Sequence, residues 1–251
     1  MHNVDEAFNK SNSFSEFSLR YFKYISEIHS KMDLDELDMF ENEFVLARES
    51  GNTIFVAGNG GSAATATTMA NDIGFDILKK TGIDRAFRVL SLVDNNSVVT
   101  AIANDIGYEN IFINQLKIHY RSGDSIILIS ASGNSPNIIK AAEWVKDKGG
   151  AIIGFCGFTG GKLIDLCDVK IHVQSEQGEY GPVEDAHLIM NHILAHWFQN
   201  KLKFNFKIDF GLFSKIERSI QSFFESIERN VQNYKIIKED EKRRQKLEEI
   251  E

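Results

Sequence analysis

Val56-Ala57-Gly58-Asn59-Gly60-Gly61-Ser62 is an apolar run that breaks into glycine, asparagine and serine. The same pattern returns at Ile129-Ser130-Ala131-Ser132-Gly133-Asn134-Ser135. Each reads as a buried strand that turns sharply into a helix. Such a turn leaves backbone N–H groups facing outward at the positive end of a helix dipole, a ready site for a phosphate. Glycine lets the backbone approach the anion, and serine adds hydroxyl donors that glycine lacks. One loop of this kind also serves plain strand–helix connections. Two, at corresponding points of successive units, point to a phosphorylated small molecule.

Working outward from these loops, five short runs rich in Ile and Val stand at residues 53–57, 87–92, 125–129, 151–155 and 169–173. Helical patterns at 62–80, 95–120, 135–148 and 160–167 separate them. This alternation predicts an α/β fold, a five-stranded parallel sheet covered on both faces as a three-layer αβα sandwich. Ligands in such sheets bind at the carboxyl ends of the strands, where both loops fall.

Before the sheet, Phe14, Phe17, Leu19, Tyr21, Phe22, Ile25 and Ile28 recur near a 3.6 period. Asp33 with Glu36 resembles a capping box, and Gly51 is placed to close the second helix. Residues 1–50 are thus expected as helices packed on the core or on a neighbouring subunit. Pro136 and Pro182 read as first-turn residues. The second opens a helix over Val183–Lys203 carrying His187, His192 and His196, a density with no structural necessity. Residues 51–203 make the expected domain that binds the phosphorylated ligand. Residues 204–251 form an expected helical extension, where Leu212, Phe213, Ile216, Ile220, Phe223, Phe224, Ile227, Val231 and Tyr234 step by threes and fours. It ends in a mixed-charge run that reads as a solvated helix end or frayed tail.

The bulk properties narrow the class. The 251 residues are 43% hydrophobic and 25% charged with a net charge of −8, which argues against nucleic acid as the main ligand. The opening MHNVDEAFNK lacks the apolar core of a signal peptide, and no apolar run reaches membrane-spanning length, so a cytoplasmic location is expected. Cys156 and Cys167 lack metal-type spacing and read as reduced core residues.

With GNGGS, SASGNS and the helix beginning Glu184-Asp185 in hand, the chain resembles the sugar isomerase (SIS) domain family, and within it the phosphoheptose isomerases. The likeness runs from about Leu37 to Leu202. It implies that Ser130, Ala131, Ser132 and Ser135 hold a sugar phosphate, with Asn59, Gly60, Gly61 and Ser62 along the sugar and Asn104 and Asp105 nearby. Ala131 stands where the family often has threonine. The resemblance also implies a homo-oligomer, a tetramer, to which the surplus aromatic faces at Phe14, Phe17, Phe22 and Phe223/Phe224 add a hint of their own. The family's zinc ligands are His, Glu, Gln and His, matched here by Thr68, Asp72, Glu184 and His192. Threonine is a poor zinc ligand, which leaves Asp72, Glu184 and His192 as candidates for one divalent metal such as zinc, or as polar cleft residues with none.

The chemistry implied is aldose–ketose isomerisation, a proton moved between adjacent carbons through an enediol. It needs a base at carbon, an acid at oxygen and exclusion of water. On an ideal helix Thr68 and Asp72 share a face, and Glu184 and His192 can border one cleft. His192 is the expected acid/base at the sugar oxygens, and Asp72 or Glu184 the proton-abstracting carboxylate. Charge in a first helical turn is by itself enough reason for Glu184. His196, beside Trp197, is expected at an interface or in the core; His187 is left without a role. A second class stays open, an SIS protein that binds a phosphosugar without turning it over, as regulator or scaffold.

Overall fold

The computed structural model describes residues 2–203; the amphipathic stretch expected over 212–234 and the charged run after it lie outside the described residues. Three helices lead: α1 (Asn3–Asn9), α2 (Phe14–His29) and α3 (Leu34–Ser50). Then follow β1 (Thr53–Gly58), α4 (Gly61–Met69), a π-helical turn (Ala70–Asp76) and α5 (Ile77–Thr81). Next come β2 (Arg88–Ser91), α6 (Asn96–Ile106), a 3₁₀ turn (Tyr108–Asn110) and α7 (Ile111–His119). The remainder is β3 (Ser125–Ser130), α8 (Pro136–Asp147), β4 (Ile152–Gly157), β5 (Val169–Val173) and the long α9 (Tyr180–Lys203).

The strands pair in parallel in the order β2-β1-β3-β4-β5. Alternation along each strand sends successive side chains to opposite faces, and two cores result. On one face Ile54, Val56, Ile127, Ile129 and Phe155 pack with Ile28, Phe40, Phe44, Met69 and Phe198 from the helices. On the other, Phe55, Ala57, Ile126, Leu128 and Ile152 pack with Phe112, Leu116, Ile138 and Val145. Buried on both faces, the central strands have to be continuously apolar, and β1, β3 and β4 are buried at every position.

The N-terminal helices cover their own sheet. Phe40 is buried with its ring centroid 5.2 Å from that of Phe155, and Phe44 makes an edge contact with Phe40. Phe14, Leu19 and Phe22 on α2 point away and are exposed. Asp33 caps α3 as expected, its Oδ1 accepting from the Asp35 N–H at 2.9 Å, and Gly51 closes it at φ 73°. The reciprocal half of the capping box is not made. Glu36 instead accepts from the Lys170 N–H of β5 at 2.8 Å, because a long-range edge donor competes with the local one.

The helix expected over 160–167 is a run of turns. Gly160 and Gly161 take φ of 84° and 57°, which L residues rarely adopt and which no helix continues through. A Cβ on Gly161 would fall 2.3 Å from the Ser132 carbonyl oxygen, and one on Gly133 would fall 1.9 Å from that of Gly160. The β4–β5 connection thereby lies flat against the serine loop after β3 and fixes its shape.

Candidate functional site

β1 and β3 are neighbours in the sheet, yet the chain leaves β1 toward β2 and leaves β3 toward β4, on opposite sides. Their carboxyl ends therefore flank the point where the winding reverses, the crevice in which open α/β sheets bind ligands. A pocket of about 170 Å³ opens there. It is lined by Asn59 and Ser62 of the first loop, Ile129, Ser130, Ala131, Ser132 and Ser135 of the second, and Tyr180 and Glu184 of α9. Six of the residues implied at the substrate therefore converge, with Glu184 beside them. Ser130 and Ser132 use lone pairs to accept from the N–H groups of Gly133 and Asn134, at 3.1 and 3.4 Å, which leaves their O–H donors for a ligand. Ser135 is the N-cap of α8 but makes no side-chain cap bond, so its hydroxyl also stays available.

The two loops are tied together behind the pocket. The Asn59 and Asn137 amides exchange hydrogen bonds at 3.0 and 2.9 Å, and the Tyr108 hydroxyl donates to Asn59 Oδ1 at 2.9 Å. Asn137 is buried and also accepts from the Ile138 N–H at 3.0 Å. Asn59 is thus a brace whose side chain is largely committed within the fold.

Glu184 lies over the start of α4. A Cβ placed on Gly61 would come within 2.2 Å of Glu184 Oε2, so a side chain there would require this carboxylate to move. Burial, and then the neighbouring Asp185 carboxylate, push the Glu184 pKa up from its ordinary range. The base of α9 is clamped by α2. Tyr21 Oη donates to Asp185 Oδ2 at 2.6 Å, and Tyr24 Oη donates to Glu179, a buried carboxylate that also accepts from the Val4 N–H at 3.2 Å. Tyr180 packs edge-on against Phe158, with centroids 5.1 Å apart.

Asp72 and His192 meet elsewhere. His192 Nε2 is 3.6 Å from Asp72 Oδ2, and Asn191 Nδ2 donates to the same oxygen at 2.9 Å. Asp72 sits in the π-helical turn, and the wider turn breaks the regular face expected to run from Thr68 to Asp72. Thr68 returns its hydroxyl to the Ala64 carbonyl at 2.9 Å, while Asp72 reaches α9. Among the described residues no three His, Cys, Asp or Glu side chains converge closely enough to hold a metal ion. Asp72 and His192 supply two donors, Glu184 stands about 12 Å further along α9 by helical rise, and Thr68 is spent on its own helix. The four family positions do not fit a zinc site within one chain.

Asn104 and Asp105 are exposed on α6, where Asn104 Nδ2 donates to Asp105 Oδ1 at 2.9 Å; neither lines the pocket, and nor does the exposed Gly60. His187 is a core residue. It is fully buried, its Nε2 lies 3.2 Å from the Cys156 carbonyl, its Nδ1 has no partner, and burial pulls its pKa down to about 4. His196 is exposed, outside the core of this chain. Cys156 and Cys167 are both free thiols, and burial pushes Cys167 up to about 12. Sequence reasoning missed Tyr180, Asn191 and the Glu179 clamp; the only local signal was their position in and around the histidine helix.

The SIS domain family model matches residues 20–157. A phosphoheptose isomerase of Aneurinibacillus thermoaerophilus is 43% identical over 148 residues, 59% of this chain and 72% of that one. A phosphoheptose isomerase of Clostridium acetobutylicum is 35% identical over 188 residues, 74% of this chain and 88% of its own. The structure of a phosphoheptose isomerase from Neisseria gonorrhoeae superimposes with a TM-score of 0.65 at 25% identity, covering 75% of this chain and all of that one. Among the described residues no helix is long and apolar enough to cross a membrane. The serine loop at the sheet's switch point and these relatives agree: the chain belongs to the SIS domain family and is similar to its phosphoheptose isomerases.

Proposed function

We propose that the protein is an aldose–ketose isomerase of phosphorylated sugars, interconverting sedoheptulose 7-phosphate and a heptose 7-phosphate as a cytoplasmic homo-oligomer, a tetramer by family resemblance. The observation that carries this reading is the contact between Asp72 and His192, a carboxylate and an imidazole 3.6 Å apart with Asn191 fixing the carboxylate. Ser130, Ser132 and Ser135 hold the phosphate by hydroxyl and N–H donors at the α8 N-terminus. Asp72 takes the proton from the carbon beside the carbonyl and returns it to the adjacent carbon. His192 gives a proton to the carbonyl oxygen as the enediol forms and accepts one from the neighbouring hydroxyl as it collapses. Proton for proton the step balances, and no outside reactant is consumed. Glu184 has no such partner and serves the sugar rather than the proton.

The test is solvent-hydrogen exchange. Sedoheptulose 7-phosphate incubated with the protein in deuterated buffer should gain deuterium at the reacting carbon and yield aldose. Binding without any exchange, with or without added divalent metal, would replace this reading with a phosphosugar-binding regulator or scaffold. That reading is favoured by one observation, the substitution of Thr68 for a family histidine with its hydroxyl turned back to Ala64.

A further inference from the structure

Asn191 is fully buried on α9, one residue before His192. Its Nδ2 donates to Asp72 Oδ2 at 2.9 Å, while its Oδ1 is buried without a partner among the described residues. The amide can meet an ionised carboxylate only this way round, because turning it over would set two acceptors against each other. A buried carbonyl without a donor is destabilising, and an apolar side chain of similar size would avoid it. What the position gains from being asparagine is the bond to Asp72.

Asp72 is gripped at both oxygens. Asn71 Nδ2, from the same π-helical turn, donates to Oδ1 at 3.0 Å. His192 Nε2 lies 3.6 Å from Oδ2, beyond hydrogen-bond reach, and its side chain is 51% exposed. Asp72 is the one polar group that the imidazole faces among the described residues, so the donor already seated on Oδ2 is what competes with its closing on the carboxylate.

We infer that Asn191 is a positioning residue of the proton transfer: it occupies Asp72 Oδ2, so that base and acid stay apart and both remain available to the sugar. The inference deepens the isomerase reading and rests on it. A carboxylate and an imidazole that bond directly satisfy one another, and a substrate must break that bond before either can act. Asn191 holds the carboxylate with a neutral amide that exchanges no proton in the reaction.

The experiment compares Asn191→Leu with the wild type on sedoheptulose 7-phosphate. Leucine keeps the bulk and removes the amide. Turnover should fall about tenfold to a hundredfold, the loss that misplaced groups cause, while affinity stays within about threefold. The urea midpoint should not drop, since the orphaned carbonyl goes with the amide. Added to Asp72→Asn, the same change should cost no further turnover, because its effect runs through Asp72. Asn191→Ser, which draws the donor back toward the helix, repeats the comparison should the leucine variant not fold. Unchanged turnover overturns the inference and leaves the isomerase reading standing. A joint fall of turnover, affinity and urea midpoint, or failure of both variants to fold, makes Asn191 a structural support and overturns it too. So does an equal loss in the Asp72→Asn background, which would place the effect elsewhere. If the wild type exchanges no solvent hydrogen, the proposed function falls and takes this inference with it.

Discussion

The serine-loop pocket and the Asp72–His192 pair lie about 12 Å apart along α9, and one chain supplies them to different degrees. The pocket is built from backbone-anchored groups. Ser62 and Ser130 are buried, Asn59 is braced by Asn137 and Tyr108, and the turns after β4 lock Gly133 in place. The pair is open: the His192 side chain is 51% exposed and Asp72 19%. On the proposed reading, binding needs only one chain, whereas proton transfer at a half-exposed imidazole needs water excluded by something else. Both halves depart from the family pattern, the binding loop at Ala131 and the chemical half at three of four positions, with threonine, aspartate and glutamate.

The largest effect should separate the two regions outright. His192→Gln and Asp72→Asn keep size and hydrogen bonding but cannot exchange a proton near neutral pH. General acid–base groups contribute about 10²–10⁴-fold, so turnover should fall by that factor while sedoheptulose 7-phosphate affinity stays within about threefold. Glu184→Gln, at the pocket end, should retain turnover. If Glu184→Gln abolishes hydrogen exchange and Asp72→Asn spares it, the roles of the two carboxylates are reversed and the comparison breaks.

Much of this arrangement was legible because its causes are local. The strands are continuous apolar runs, the serine loops break at glycine, and Pro136 opens α8 where its missing N–H costs nothing. What was not legible depends on partners distant in the chain. The π turn at Asp72 is one extra residue in a helix, and nothing in the local sequence specifies it. Glu36 abandons its capping role for the Lys170 N–H, 134 residues away. The helix expected over 160–167 gave way because Gly160 and Gly161 were needed against the serine loop. Tyr180 enters the pocket only because α9 begins three residues before the helix expected from Val183. Composition could propose three histidines for function, but only packing divides them into one paired, one buried and one exposed.

His187, between the pocket and the pair on α9, should govern stability instead of chemistry. With Nε2–H donating to the Cys156 carbonyl, the ring is neutral and its buried Nδ1 has no partner. The unfolded chain takes up a proton near pH 6.5, the folded one only near 4. Stability is therefore full above about 6.5 and is lost as the pH falls toward 4. The loss is on the order of 3 kcal/mol at about 1.4 kcal/mol per pH unit. Urea midpoints at pH 7.5 and 5 should diverge in the wild type and converge in His187→Gln, which would be less stable at both. Equal divergence in the variant assigns the acid sensitivity to other groups.

A smaller effect is expected at the phosphate. Hydrogen bonds to a charged group contribute roughly 1.5–3 kcal/mol each, so Ser132→Ala with Ser135→Ala should weaken sugar-phosphate binding by at least about tenfold. Turnover at saturating substrate should change little, the mirror image of the Asp72 and His192 variants. Unchanged affinity removes the phosphate from this loop, and a fall in saturated turnover alone means that the two regions are not separable.

The smallest effect tests whether the pocket's α9 wall owes its position to α2. Tyr21 and Tyr24 each donate to a carboxylate at the base of α9, but the carboxylates differ: Asp185 is exposed and Glu179 is 4% exposed. Removing the Tyr24 hydroxyl leaves Glu179 with the Val4 N–H at 3.2 Å and the Asn3 amide at a marginal 3.5 Å. A buried charge that loses one donor and keeps others should cost about 1–2 kcal/mol, less than the loss of an only partner. Water replaces the Tyr21 hydroxyl at Asp185, so that change should cost no more than about 0.5 kcal/mol. Tyr24→Phe should therefore lower the urea midpoint clearly and Tyr21→Phe barely. Neither should alter sugar-phosphate affinity more than about threefold, because Gly61 beneath Glu184 and Phe158 beside Tyr180 hold the same wall from the other side. A large loss of affinity in Tyr24→Phe would mean that the pocket is not self-supporting, and that α2 is part of the binding region.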